Sequence, residues 1–274
     1  MRDSLRHAFL SVMALGYRVT GVLEPALKKN RIQFLYSHEV NPENEESFRA
    51  WIQALLKHHR FISYSQAVER LRGGAIDAPY LVFSFDDALK NNLRAAKILN
   101  EFDISACFFV CPPLLEEANR EAKKKFSVEQ LHLPLQEFLT WRDAELLLKQ
   151  GHEIGSHTLT HRNLAKLPEP EAQKEIRESF AQLKRKLGVA RHFSWPYGRF
   201  EHFKKELFSI VFDAGYESCA SAERGCHLHP FNLKELPILR DHVMFDWPIG
   251  HGLYFLAKNS RTKDRSSLWG EAQR

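Results

Sequence analysis

Two short stretches hold residues able to do chemistry together. "LVFSFDDALKNN", residues 81–92, sets Asp86 and Asp87 side by side directly after a run of large apolar residues. Adjacent negative charges at the end of a buried strand repel each other; a helix N-terminus, a cation or a shared proton would each offset that repulsion. "GSHTLTHRNL", residues 155–164, carries His157 and His161 four positions apart, so on a helical turn both imidazoles would share a face and grip one metal ion. Each motif alone has an ordinary reading. Adjacent aspartates often cap the helix that follows them, and 14 histidines in 274 residues produce about 0.7 such pairs by accident. Together they are more specific, because two imidazoles and one carboxylate make a three-ligand divalent metal site with open positions, the layout of a catalytic centre. The second aspartate is then free to act as a base.

Motifs so far apart in the chain need a scaffold, and the surrounding pattern predicts one. From Ile32 onward, short apolar runs alternate with helical patterns. "RIQFLY", "YLVFSF", "SACFFV", "HEIGSH", "HFSWPYG" and "ELPILRD" read as strands. "NPENEESFRAWIQALLKHH" reads as a helix with Phe48, Ile52, Leu55 and Leu56 on one face, and "ALKNNLRAAKILNEF", "TWRDAELLLKQG" and "EHFKKELFSIVFDAG" read as helices too. "PEPEAQKEIRESFAQLKRKLG" is the clearest, with a stripe of Ala172, Ile176, Phe180, Leu183 and Leu187, acidic residues at its start, "KRK" at its end and Gly188 as the stop. This alternation predicts parallel βαβ units, hence a β/α barrel or a doubly wound sheet, with chemistry gathered at the carboxyl ends of the strands. Asp86–Asp87, His157 and Trp195–Gly198 each follow such an end. Segment 112–140 is too long for a plain connection and reads as an excursion with some helix or a mobile loop over a site.

The net charge of +5 comes from 39 basic and 34 acidic residues, a mild excess that suits an anionic polymer, a membrane surface or a solvated face. No basic stripe with interleaved aromatics appears, so nucleic acid is not an expected partner. Cys107, Cys111, Cys219 and Cys226 lack zinc-ribbon spacing and read as reduced, buried thiols. No stretch reaches the roughly 18 apolar residues of a membrane span. The N-terminus has basic residues and a short apolar run but no clear small-residue cleavage site. Leu5, Phe9, Val12 and Leu15 fall near helical spacing, which predicts an amphipathic helix packed on the domain or lying on a membrane surface. That pattern points to the cytoplasm or the inner-membrane face rather than to secretion.

Taken in order, the motifs resemble the polysaccharide deacetylases with the NodB homology domain, carbohydrate esterase family 4, over residues 32–240. "FLYSHEV" is similar to that family's opening strand with its Tyr-His pair, here Tyr36 and His38 with one residue between; "SFDDA" is similar to Thr-Phe-Asp-Asp-Gly. "HTLTH", introduced by "GHEIGS", matches His-Ser/Thr-x-x-His, and "SWPYG" keeps Pro196, Tyr197 and Gly198 of Arg-x-Pro-x-Gly. The resemblance implies a distorted, TIM-like β/α barrel of roughly seven strands in a deacetylase-like catalytic domain over 31–258, and the sequence pattern adds an N-terminal helical segment over 1–30 and a polar tail over 259–274. It implies a metal-dependent hydrolase removing an N-acetyl group from a hexosamine in a polysaccharide or glycolipid. Asp86 would be the general base, and Asp87, His157 and His161 the ligands of one divalent ion, zinc first, with cobalt, nickel or manganese as alternatives. The Tyr197 backbone N–H, beside Pro196, would help hold the oxyanion.

Three departures stand out. Ala88 replaces the usual Gly, which disfavours a positive φ there. Ser194 stands where many members carry the Arg that orients the base; Arg240 is a conceivable substitute. The family's late Leu-x-His has no clean match, leaving His242, His251 or His38 as the proton donor to the leaving amine, with His242 favoured because it ends a strand. Trp195 would either stack on a sugar face or belong to the core. The rival readings are a deformylase or O-deacetylase acting on a sugar and a non-catalytic glycan-binding domain that keeps the fold. An iron oxygenase with the same two-His-one-carboxylate set is disfavoured by the strand–helix alternation.

Overall fold

Apolar runs buried on both faces build the centre of the molecule. The computed structural model describes residues 2–260, with side chains from residue 6 onward. Helices α1 (Arg2–Val19) and α2 (Leu23–Leu27) precede β1 (Arg31–Ser37), α3 (Glu45–Leu56), β2 (Arg60–Phe61), α4 (Tyr64–Gly73) and β3 (Pro79–Phe85). Then come α5 (Asn92–Asn100), β4 (Ala106–Val110), α6 (Arg120–Lys125), α7 (Trp141–Lys149), β5 (Glu153–Ser156) and α8 (Glu169–Leu187). The chain continues through β6 (His192–Ser194), α9 (Leu207–Ala214), β7 (Ser218–Ala220), β8 (Arg240–His242) and α10 (Ile249–Asn259). All paired strands are parallel, in the order β7-β6-β5-β4-β3-β1-β8, with short β2 beside β3. A parallel bridge from Ala220 to Ile238, just ahead of β8, draws the two edges together. The result is a nearly closed seven-stranded barrel ringed by helices.

Strand alternation sorts the side chains. Ile32, Phe34, Val82, Cys107 and Phe109 join one buried cluster, while Leu35, Leu81, Phe83, Phe85, Phe108 and Val110 pack in a second, larger one with the helices. The four cysteines are free and buried. On α3 the buried face is Phe48, Trp51, Ile52 and Leu55; Leu56, expected there, is 43% exposed because Trp51 fills the space against Phe245. Helix α5 starts at Asn92, later than its pattern predicts, because Leu89 is spent on a bridge to Phe138. Gly188 ends α8 at φ 74°, as its stop role requires.

The excursion over 112–140 is ordered. A 3₁₀ turn (Pro112–Leu115), α6 and one π-type turn (Phe126–Gln130) lead to a return stretch stitched onto the aspartate turn: the Leu139 N–H donates to the Ala88 carbonyl at 2.8 Å. Helix α1 forms as predicted, but its predicted stripe faces outward. Leu10 is buried and Tyr17 meets Tyr254 of α10, whereas Phe9, Val12 and Leu15 are exposed. No helix among the described residues is long and apolar enough to cross a membrane. The tail expected over 259–274 lies, from residue 261, outside the described residues.

On β8, Arg240 points into the barrel, and its neighbour Asp241 points out under α10, where Gln33 and Asn259 donate to its carboxylate at 3.1 and 2.5 Å. Burial pushes the Asp241 pKa up to about 7. Because the folded value lies above the unfolded one, the stability tied to this proton is complete below the ordinary carboxylate range and is lost as pH rises toward 7. Asp241→Asn removes that loss. Relative to the parent, its unfolding free energy in urea should improve by about 2–3 kcal/mol between pH 5 and pH 8. An equal difference at both pH values would mean Asp241 does not titrate there.

Candidate metal centre

Asp86 continues the β3 ladder, its N–H donating to the Ser37 carbonyl at 3.0 Å. The chain then turns sharply: Asp87 takes φ 73° and Ala88 φ 56°. The turn sends the two neighbouring carboxylates to different partners. Ala88 adopts the positive φ its Cβ disfavours, held by the bond from Leu139 to its carbonyl.

Asp86 faces Arg240, whose two terminal nitrogens meet the two carboxylate oxygens at 2.8 and 2.9 Å. The guanidinium is fully buried and also donates to Ser194 Oγ, Ser84 Oγ and the Ser221 carbonyl, at 2.6, 3.2 and 2.8 Å. Its face lies over the Tyr36 ring, 4.7 Å from the centroid. Arg240 therefore meets both Asp86 and the small Ser194 side chain. Burial alone would raise the Asp86 pKa, but Arg240, with His157 and His38, outweighs it and holds the carboxyl below its ordinary value.

Asp87 is treated differently. Its Oδ1 is buried without a hydrogen-bond partner, 3.6 Å from His157 Nε2 and 3.3 Å from His161 Nε2. Burial opposes its ionisation, and a proton on His161 first, then on His38 or His157, lowers its pKa below the ordinary range. His157 follows β5, its N–H donating to the Val110 carbonyl at 2.8 Å, and its Nδ1 lies 2.8 Å from the Ser194 carbonyl. A carbonyl only accepts, so Nδ1 carries the hydrogen and Nε2 turns a lone pair toward Asp87. Burial pushes the His157 pKa down to about 4, keeping the ring neutral at neutral pH. The pair does not share a helical face: residues 157–163 form a loop in which Thr158 and His161 take φ 66° and 58°. Thr160 anchors this loop, its N–H and hydroxyl donating to the buried Glu175 of α8 at 2.7 and 2.5 Å.

One donor atom from each of Asp87, His157 and His161 lies within 4.8 Å of the others, and all three residues are buried. An orphaned carboxylate oxygen facing two imidazole nitrogens fits a divalent cation, and these residues could hold one. The cleft above them has a volume of about 160 Å³ and is walled by His38, Asp86, Gln130, Trp195, Tyr197 and Arg240 among others. His38 Nε2 stands 4.0 Å from Asp87 Oδ2. His242 sits beside His38, ring centroids 5.4 Å apart, and does not line the cleft; burial, with His38 and Arg224, pushes its pKa down to about 4. His251 is under α1, bonded to Ser11 at 2.9 Å. Trp195 is fully buried and stacks on Phe203, so it forms the cleft's base, while Tyr197 at the rim is 47% exposed. Pro196 is buried beside it. Tyr197 takes φ 62°, and Gly198 at φ 65° is required because a Cβ there would lie 2.1 Å from the Ala222 Cβ. Among the described residues, no backbone carbonyl accepts from the Tyr197 N–H. Gln130 and Glu175 belong to no sequence motif; the surplus length of 112–140 was the one signal for Gln130.

A family model described as polysaccharide deacetylase matches residues 74–219, a span that includes both aspartates and both histidines. No curated protein matches the sequence. Among solved structures, the Streptococcus pyogenes deacetylase PplD in complex with acetate is 17% identical, with a TM-score of 0.66 over 82% of this chain and 98% of that one. IcaB from Ammonifex degensii is 19% identical, TM-score 0.64, covering 83% and 98%. A de-N-acetylase from Aggregatibacter actinomycetemcomitans is 16% identical, TM-score 0.63, covering 82% and 99%. At these identities the likeness is one of fold.

The buried Asp86–Arg240 pair makes a measurable demand. Arg240→Met alone strands a buried carboxylate and should lower stability by about 3–5 kcal/mol in denaturant titration. Pairing it with Asp86→Asn should restore more than half of that loss. Additive losses in the double variant would refute the coupling.

Proposed function

The chain belongs to the polysaccharide deacetylase family, and from that premise we propose that it is a metal-dependent hydrolase removing the N-acetyl group from a hexosamine of a polysaccharide or glycolipid. The observation that carries this reading is the orphaned, buried Asp87 Oδ1 facing two imidazole nitrogens, beside an aspartate kept ionised by Arg240. A divalent ion held by Asp87, His157 and His161 supplies Lewis acidity that polarises the amide carbonyl and acidifies water. Two imidazoles and one carboxylate favour zinc, with cobalt, nickel or manganese able to use the same set. Asp86 takes the proton of the attacking water, which its depressed pKa leaves it free to do. The Tyr197 N–H, which no backbone carbonyl engages among the described residues, would be the donor to the oxygen where negative charge builds, a contact typically worth about 3 kcal/mol.

The leaving amine needs a proton. His242, the stranded candidate from sequence, is a deprotonated ring behind the cleft wall, whereas His38 borders the cleft. We therefore assign the donor's role to His38. The exposed Tyr197 ring is the surface on which a sugar face would rest. A pure glycan-binding domain would have no use for a buried, ionised base beside the ligand set, which favours catalysis. A formyl amide or an O-acetyl ester would meet the same groups, so the product decides between them.

With zinc added, the protein should release acetate and not formate from N-acetylhexosamine oligomers. Asp86→Asn and His38→Gln should each lower kcat by about 10²–10⁴-fold with zinc still bound, while His242→Gln stays within several-fold of the parent. Unchanged turnover in Asp86→Asn would remove the catalytic assignment.

The N-terminal helix favours an address for this activity. Phe9, Val12, Leu15 and Val19 of α1 are 62%, 67%, 61% and 76% exposed, with Arg6 and Arg18 on the same helix. An apolar stripe flanked by cations suits the interface of an anionic bilayer, and we place the protein in the cytoplasm or peripherally on the inner membrane through this helix. It should sediment with anionic vesicles but not neutral ones, and Val12→Asp/Leu15→Asp should abolish that. Equal sedimentation of parent and variant would rule the contact out.

A further inference from the structure

We propose that Gln130, delivered by the excursion between β4 and α7, is a positioning residue that sets the His161 ring for metal binding; this rests on the metal reading given above. Gln130 is the last residue of the π-type turn, a kind of local distortion that recurs at functional sites. Its Nε2 lies 3.2 Å from the Thr160 carbonyl and its Oε1 lies 2.8 Å from His161 Nδ1.

The hydrogen positions follow from what each group can do. The Thr160 carbonyl only accepts, so the amide nitrogen must face it, and the amide oxygen must face His161. That oxygen also only accepts, so His161 Nδ1 carries the hydrogen. In the neutral ring Nε2 then holds a bare lone pair, directed toward Asp87 Oδ1 at 3.3 Å. The Ser194 carbonyl does the same for His157. For His157 the partner is backbone of β6 and comes with the barrel; for His161 it is a side chain from an inserted segment.

Three other rings lie close to that of His161. Phe126, His157 and Tyr197 surround it at centroid distances of 4.9, 4.9 and 5.1 Å, and none of these ring contacts fixes which nitrogen is protonated. The His161 backbone, at φ 58°, does not hold a ring by itself. Partners of this kind typically govern metal affinity by 10–100-fold. The excursion thereby becomes part of the metal centre rather than a cover laid over it.

Two substitutions separate this role from simple packing. Gln130→Met removes both polar contacts at similar volume; Gln130→Glu keeps the acceptor for His161 and loses the donor to Thr160. Zinc titration of metal-free protein against a competing chelator should show Gln130→Met weakened by 10–100-fold and Gln130→Glu within a few-fold of the parent or tighter. In the metal-free protein, nitrogen NMR should report His161 protonated on Nδ1 in the parent and shifted toward Nε2 in Gln130→Met. If Gln130→Met binds zinc within twofold of the parent, or Gln130→Glu falls as far as Gln130→Met, the inference is overturned. A parent protein that takes up no zinc would instead bring down the metal reading itself, and this inference with it.

Discussion

Three buried atoms with lone pairs to offer a cation face one another at the top of the barrel: Asp87 Oδ1, His157 Nε2 and, in its neutral ring, His161 Nε2. In the neutral rings nothing donates between them, because the Ser194 carbonyl and the Gln130 amide oxygen draw the single imidazole hydrogen to the far side of each ring. Left to themselves such atoms repel, and burial strengthens the repulsion. A cation turns the same geometry into an attractive one. The surrounding structure can be understood as what is needed to hold that arrangement in place: a turn at positive φ on Asp87 and Ala88, a strained loop clamped by Glu175, and an excursion stitched to both.

Next to it, Asp86 shows the other solution to a buried charge. Its counterion is a guanidinium from β8, at the far end of the barrel domain in sequence and two strands away in the sheet, reached because β1 lies between β3 and β8. Asp86 and Asp87, consecutive in the chain, thus have separate electrostatic environments. Asp86 is held ionised by a fixed positive charge, while Asp87 faces two imidazole nitrogens in an arrangement that fits a cation. The matched family region runs from residue 74 to 219, so His38 lies before it and Arg240 after it, and the cleft is completed by parts of the chain that the family model does not cover.

Much of this was legible in the sequence where short-range physics dominates. Strands such as "YLVFSF" and helices such as Glu169–Leu187 follow from apolar periodicity and end signals. Asp86, Asp87, His157 and His161 stood out by residue type and spacing. What escaped depends on tertiary placement. The histidine spacing suggested a helical turn, but a loop with two left-handed residues does the work. The stripe on α1 was legible as a stripe, yet nothing local says whether it faces the domain or solvent. Arg240 could be named only as a conceivable partner, since no local pattern marks which arginine will reach across a barrel. Gln130 sits in a segment with neither helical nor strand period, and its meaning exists only once His161 is beside it.

The most direct test of the central claim is anomalous diffraction at the zinc edge from crystals equilibrated with zinc. The account predicts a single strong peak bonded by Asp87 Oδ1 and by the Nε2 atoms of His157 and His161, at about 2.0–2.2 Å. A peak bonded through either Nδ1, or a fully equilibrated crystal with no peak among these three residues, would contradict it.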